Sequence, residues 1–212
     1  LEAFQKLLGS LFGVTRESRW EAANVARDFY DAERHRAGLP RLDTYLANYN
    51  ENRFLVATKL HKVPLMAAET PPNAIAALSG DLLREVDNAA RETILEAVEN
   101  DSEAYWARVE GGGDASCSWC LMLISRGPVY NSADAAGDSF DFHRFCNCEV
   151  VPVLDPDGDW PGREQYEAAE KLWREASRKD GDTLANLREM VEGPAKQQRP
   201  RTNSRPMRRR FR

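Results

Sequence analysis

Residues 73–110 read NAIAALSGDLLREVDNAARETILEAVENDSEAYWARVE, and their periodicity sets the fold class. Leu82 or Leu83, Val86, Ala90, Ile94, Ala97 and Val98 recur near the helical repeat. Arg84, Asp87, Arg91, Glu92, Glu96 and Glu99 occupy the opposite face, as on a helix with one side in solvent. Ser79, Gly80 and Asp81 predict a break with a fresh N-cap. Three consecutive glycines, 111–113, end the segment.

Working towards the N-terminus, Thr15 to Ala37 reads as a helix, with Trp20, Val25, Phe29 and Ala32 as its nearest approach to an apolar face and Gly38 and Pro40 as stops. Residues 41–70 are helical in parts, interrupted by Pro64 and by Pro71–Pro72. In the other direction, residues 114–153 change character. They are poor in charge, rich in Cys, Ser, Gly and Asp, and end in the β-like run CEVVPV. The turn LDPDGDWPG follows, with Asp159 near an N-cap and Pro161 close to the first helical position. Helices are then expected from about Arg163 to Ser177 and from Leu184 to Val191. The expected fold is mainly α (α+β): a helical region 1–110, a cysteine-rich module 114–153, closing helices 159–192 and a basic tail 193–212.

Of the 212 residues, 42% are hydrophobic and 30% charged, a globular balance with enough apolar side chains for a core. No apolar run approaches the ~20 residues of a membrane helix, so no membrane partner is expected. LEAFQKLLGSLFGV carries Glu2 and Lys6 and lacks the charged start and cleavage site of a signal peptide. The sequence opens on Leu1 rather than Met, as a processed product or part of a longer chain does.

The net charge of −5 hides a split. The last 17 residues hold eight cations (Lys196, Arg199, Arg201, Arg205, Arg208, Arg209, Arg210 and Arg212) and no acid, so the preceding 195 carry −13. An acidic body with a basic, proline-containing tail reads as a folded unit with an interaction arm. Clustered arginine suits phosphate and carboxylate alike, so nucleic acid or an acidic protein surface fits this arm, and a solvated tail is the plain alternative.

All four cysteines lie in one window, as Cys117-x2-Cys120 and His143-x2-Cys146-x-Cys148. Zinc takes four thiolate or imidazole ligands, commonly as two close pairs brought together by the fold. Four sulfurs complete the count, with His143 as an outer donor to a thiolate; His143 with Cys146 is the other second pair. Two disulfides, in any of three pairings, compete with zinc, and free thiols packed as small hydrophobes are the third reading. A Cys–His nucleophile pair makes poor use of four cysteines, and C-S-W-C is followed by no βαβ pattern of a redox fold. Trp119 is expected to cover the sulfurs.

Taken in order, Asp114, Cys117, Cys120, Gly127, Tyr130, His143, Cys146 and Cys148 resemble the head morphogenesis family of tailed phages, the MuF-like minor capsid proteins, in the branch found in phages of actinobacteria. The resemblance covers about residues 114–153. It implies a low-copy structural protein of the virion, inside the capsid, associated with the portal or the major capsid protein and assembled in the host cytoplasm. Some members of the branch carry a capsid maturation protease label, so a head-associated protease or metal-dependent nuclease is the rival reading. Motifs give that rival no support. There is no H-E-x-x-H, G-x-S-x-G or phosphate-binding G-x-x-x-x-G-K, no two glutamates stand two apart, and His35, His61 and His143 are the only histidines. No enzymatic activity is therefore expected. Asp155, Asp157 and Asp159 alternate as in a calcium loop, but the sixth and twelfth positions are Trp160 and Tyr166, which favours a turn.

Overall fold

The first helix is held by a stripe that hydrophobicity alone does not reveal. In the computed structural model, which describes residues 2–43, 46, 54–55, 58, 71–112, 116–130, 142 and 148–196, α1 spans Glu2–Arg36. Thr15, Arg19, Ala23, Ala26, Tyr30 and Arg34 are buried at the spacing of one helical face, with Asp31 buried beside them. Phe12 extends that face towards the N-terminus and meets Phe54 edge-on, with ring centroids 5.3 Å apart. The helix therefore starts well before the expected Thr15. Trp20 and Val25, expected near the apolar face, are 63% and 70% exposed.

α2 runs without interruption over Pro71–Glu99. The prolines open the helix instead of breaking it, because first-turn N–H groups have no partner to lose. The expected break at Ser79–Asp81 is absent. Gly80 is buried within the helix, and the buried Asp81 side chain pairs with Arg84 at 3.5 Å instead of capping a new helix.

α1 and α2 lie side by side in the same direction, since partners advance together along both. Arg19 bonds to the Glu85 carbonyl and, at 3.0 Å, to Glu92, whereas Tyr30 and Arg34 meet Asp101. Between these polar contacts, Ala26 and Tyr30 pack with Ile94, Leu95, Ala97 and Val98.

Helix ends at Glu99, so the reading of 73–110 as helical fails in its last part. Tyr105–Glu110 is strand β1, paired antiparallel with β2, Cys148–Val153, from Tyr105 opposite Val153 to Glu110 opposite Cys148. Side chains alternate across this ribbon. Trp106 and Val150 face the α1/α2 layer. Ala107, Val109, Val151 and Val153 face Trp160 and Tyr166 on the other side. A ribbon buried on both faces has the same apolar fraction as a buried helix over six residues, which is why the two were confused.

Between the strands, α3 (Ser118–Ile124) supplies a short helix inside the module expected to be loop and strand. α4 (Arg163–Ser177) and α5 (Thr183–Lys196) close over it, with Met122 and Leu123 packed against Ala176 and Leu187. α4 starts from Gly162 in a left-handed conformation, φ 90°, not from Asp159 and Pro161. The fold is mainly helical with one small antiparallel ribbon, as the fold class read from sequence requires.

Candidate functional site

The cysteines are brought together by two elements of different kinds. Cys117 is the N-cap residue of α3, in extended backbone geometry, and its carbonyl accepts the Leu121 N–H at 2.9 Å. Three residues on, within the first turn, Cys120 presents its sulfur 3.5 Å from that of Cys117. Cys148 opens β2, and its sulfur lies 3.3 Å from that of Cys120. Two outside contacts fix the platform. Glu192 of α5 accepts the Ser118 N–H at 2.9 Å, and Gly127 turns the chain after α3 with φ 64°, where an added Cβ would fall 2.8 Å from Cε2 of the Tyr166 ring. Tyr130 then bridges to β1, accepting the Trp106 N–H at 2.9 Å and stacking on its indole at 4.7 Å.

Cys120 and Cys148 are 2% and 0% exposed, and Cys117 is half-buried. Phe142 packs against this group. Trp119 does not cover it, being 41% exposed. Residue 119 lies between two inward positions of a helical turn, so its side chain leaves by the outer side.

The donor set suits a soft divalent ion. In a tetrahedral zinc site with Zn–S of ~2.3 Å, sulfurs stand ~3.8 Å apart. The two sulfur–sulfur contacts, 3.5 and 3.3 Å, approach that spacing. Among the described residues, no group of three or more His, Cys, Asp or Glu side chains could hold a metal by itself. The remaining sequence candidates, His143 and Cys146, lie outside the described residues, as does Asp114. Lys196 is the last residue of α5, and Arg199, Arg201, Arg205, Arg208, Arg209, Arg210 and Arg212 also lie outside the described residues.

Sequence reading missed the cations around this centre. Arg108, 2% exposed, donates from Nη1 to the Cys148 sulfur at 3.6 Å. Its guanidinium carbon is 4.0 Å from the centroid of the Phe142 ring, and that of Arg91 is 4.3 Å from the same ring. Arg91 pairs with Glu149 at 3.3 Å and Asp87 at 3.9 Å. An arginine alternating with Trp106 on a buried strand face was the available signal, and it was lost once 105–110 was read as helix. The acidic turn is occupied by its own backbone, Asp155 accepting the Asp157 N–H at 3.2 Å and Arg163 donating to the Asp157 carbonyl at 2.7 Å.

The sequence profile of the VG15 protein family matches residues 2–176. The chain belongs to the VG15 family. Its similarity extends to the Gene 15 protein of Mycobacterium phage D29, 34% identical over 215 residues that cover 85% of this chain and 78% of that protein. The Gene 15 protein of Mycobacterium phage L5 is also 34% identical, over 223 residues covering 85% and 75%. VG15 is thus a family of phage proteins, and its match takes in both the helical layer and the cysteine module. No solved structure matches the chain significantly. No helix among the described residues is long and apolar enough to cross a membrane.

Proposed function

We propose that this chain is a minor capsid protein of a tailed phage, a structural component of head morphogenesis held inside the capsid against the portal or major capsid protein. The observation that carries the reading is the closure of the sulfur centre. Catalytic metal or thiol sites keep an open position for substrate, whereas structural sites are sealed. Here the sulfurs of Cys120 and Cys148 are buried between α3, β2 and Phe142. Such a centre staples the ribbon to the helices on either side. Cys117, Cys120, Cys146 and Cys148 would hold zinc, with His143 as outer donor or replacement ligand. Zinc supplies a four-way crosslink whose binding free energy adds directly to folding. Membership of a phage family supports the virion setting, and the ordered set from Cys117 to Cys148 supports the minor capsid assignment. The basic tail would contact packaged DNA or an acidic capsid surface.

The test incubates the purified chain with capsid subunits and with DNA, each with and without a chelator, alongside elemental analysis. One zinc per chain, unfolding on chelation and no cleavage of either substrate support the reading. Chelator-sensitive turnover of capsid protein or DNA overturns it in favour of a head-associated protease or nuclease. Heads assembled from a phage lacking this gene at normal yield and infectivity also overturn it.

A further inference from the structure

α2 carries two apolar faces, and only one of them is covered along its whole length. Ala74, Leu78, Glu85 and Ala89 share the buried side that meets Arg19 of α1. A second stripe, about a third of a turn away, runs through Ile75, Ser79, Leu83 and Val86 at the helical repeat. Further along, the same stripe is covered. Ile94 and Ala97 are buried, and Ala90 packs with them, in the cluster that holds Trp106 and Val150 of the ribbon. Its N-terminal part is open. Ile75 is 55% and Leu83 61% exposed, Ser79 is exposed and Val86 is half-buried. A helix face with large apolar side chains at this spacing ordinarily lies against another element.

The order of side chains along the open stripe identifies what fits it. No charged residue falls on it between Pro72 and Val86, so covering it desolvates no charge, and the basic tail finds no carboxylate there. Ser79 is its midpoint. Ile75 stands four positions before and Leu83 four after, while Pro72 and Val86 stand seven before and seven after. The stripe is therefore complementary to itself when reversed, as an interface on a two-fold axis must be. A second α2 laid antiparallel across Ser79 sets each Ile75 against the other copy's Leu83. The small Ser79 at the crossing lets the two helices approach closely, and facing hydroxyls can both donate and accept. Charge fits as well. Asp87 stands eight positions after Ser79 and Pro71 eight before, so each Asp87 comes to the start of the other copy's α2. The Asp87 side chain is 44% exposed, and the first turn of α2 holds no acidic residue to oppose it at that positive end.

We infer that the open stripe of α2 is a self-association surface, through which two copies of this chain pair by antiparallel α2 helices crossing at Ser79, with Ile75 of each seated on Leu83 of the other. One helix per copy makes an interface at the small end of the range, so the dimer is weak, with a Kd on the order of 10 µM. The sulfur centre takes no part in it, so the inference does not depend on the metal or capsid reading.

Sedimentation equilibrium of the full chain from ~1 to ~100 µM tests this. The wild type is expected to pass from monomer to dimer across that range. Leu83→Glu and Ile75→Lys should each weaken association at least ~100-fold by placing an unpaired charge in the contact. Both should keep the wild-type Tm, because both side chains are exposed in the single chain. Mixing the two variants should restore the dimer. Antiparallel pairing brings the introduced glutamate against the introduced lysine and leaves Ile75 of one variant on Leu83 of the other, whereas parallel pairing sets each charge on an apolar side chain. A wild type that stays monomeric overturns the inference, as does a dimer that neither substitution disturbs. Loss of the dimer in both variants without recovery on mixing overturns the antiparallel crossing. A monomeric wild type that binds purified portal or major capsid protein, and loses that binding in Leu83→Glu, assigns the face to a capsid partner and overturns self-association. If Leu83→Glu does not fold, Ile75→Lys alone decides, and a dimer of wild-type strength in that variant overturns the proposal.

Discussion

The sulfur of Cys148 lies 3.3 Å from that of Cys120, although 28 positions of chain separate them. The contact joins the first residue of β2 to the first turn of α3, and β2 in turn pairs with β1 along its whole length. The two ends of the module are thus tied at one point next to the ribbon, and that ribbon packs on the α1/α2 layer on one face and against Trp160 and Tyr166 on the other. Removing the tie should loosen all three layers, not the module alone.

Cys120→Ser is therefore expected to destabilise the whole chain by at least ~3 kcal/mol, roughly 6–12 °C in Tm. Chelator should reproduce most of that loss in the wild type and add little in the variant. Thermal denaturation with and without chelator checks this. An unchanged Tm on chelation, together with a loss on adding reductant, would assign the stabilisation to disulfides.

Much of this arrangement was legible in the sequence, for identifiable reasons. The β-like CEVVPV and the closing helices were legible, because each depends on local pattern or propensity. What was missed depends on tertiary context. Arg19 on α1 and Arg108 on β1 are buried charges that no hydrophobic pattern marks, and each has a partner far along the chain, Glu92 for one and Cys148 for the other. Trp20 and Val25 misled in the opposite sense, as large apolar side chains left outside. Ser79–Asp81 looked like a cap because those residue types favour caps, but helix packing overrides that preference.

A buried polar knot locks the C-terminal ends of α1 and α2. Asp101 accepts from the Tyr30 hydroxyl at 2.6 Å, from Arg34, and from the Glu103 N–H at 3.1 Å. Burial pushes the Asp101 carboxyl up, but bonds from Tyr30, Glu103 and Arg34 outweigh it and hold the group below its ordinary 3.8. Burial first, and then the Asp101 carboxylate, push the Tyr30 hydroxyl up, so it remains a donor. A lowered carboxyl contributes stability that is fully present above its ordinary value and lost as pH falls through the folded value. Asp101→Asn should cost about 3–5 kcal/mol at neutral pH by stranding the Arg34 charge, and should flatten the loss of stability below about pH 4. Tyr30→Phe should cost about 1.5–3 kcal/mol. Urea melts from pH 3 to 7 test both, and an acid limb as steep in Asp101→Asn as in wild type would exclude this role for Asp101.

Glu96 has the opposite sign. Desolvation first, then the charges of Glu99 and Glu92, hold its carboxyl above the ordinary 4.5. A raised carboxyl weakens the fold as pH climbs through the folded value, because the native state resists ionisation. Glu96→Gln is expected to stabilise the chain by a few tenths to ~1 kcal/mol at pH 7, with the gain vanishing towards pH 4. Denaturant midpoints at the two pH values measure this, and equal gains at both would contradict the charge argument.

Gly162 is the point where α4 enters its packing against the ribbon, and two independent constraints fall on it. Its φ of 90° is a conformation that side chains rarely adopt, and a Cβ there would sit 2.2 Å from Cγ1 of Val109. Val109 is buried in β1 and belongs to the cluster with Val151, Val153 and Trp160, so it has little room to yield. Gly162→Ala must therefore move α4 or displace Val109, at a cost of about 1–3 kcal/mol for the strained backbone alone, with overpacking added. The pair Gly162→Ala with Val109→Ala separates the two contributions. Shortening Val109 relieves the clash but not the backbone strain, so the double variant should lose less than the sum of the single losses. Strict additivity in denaturant unfolding would mean that the Cβ never meets Val109.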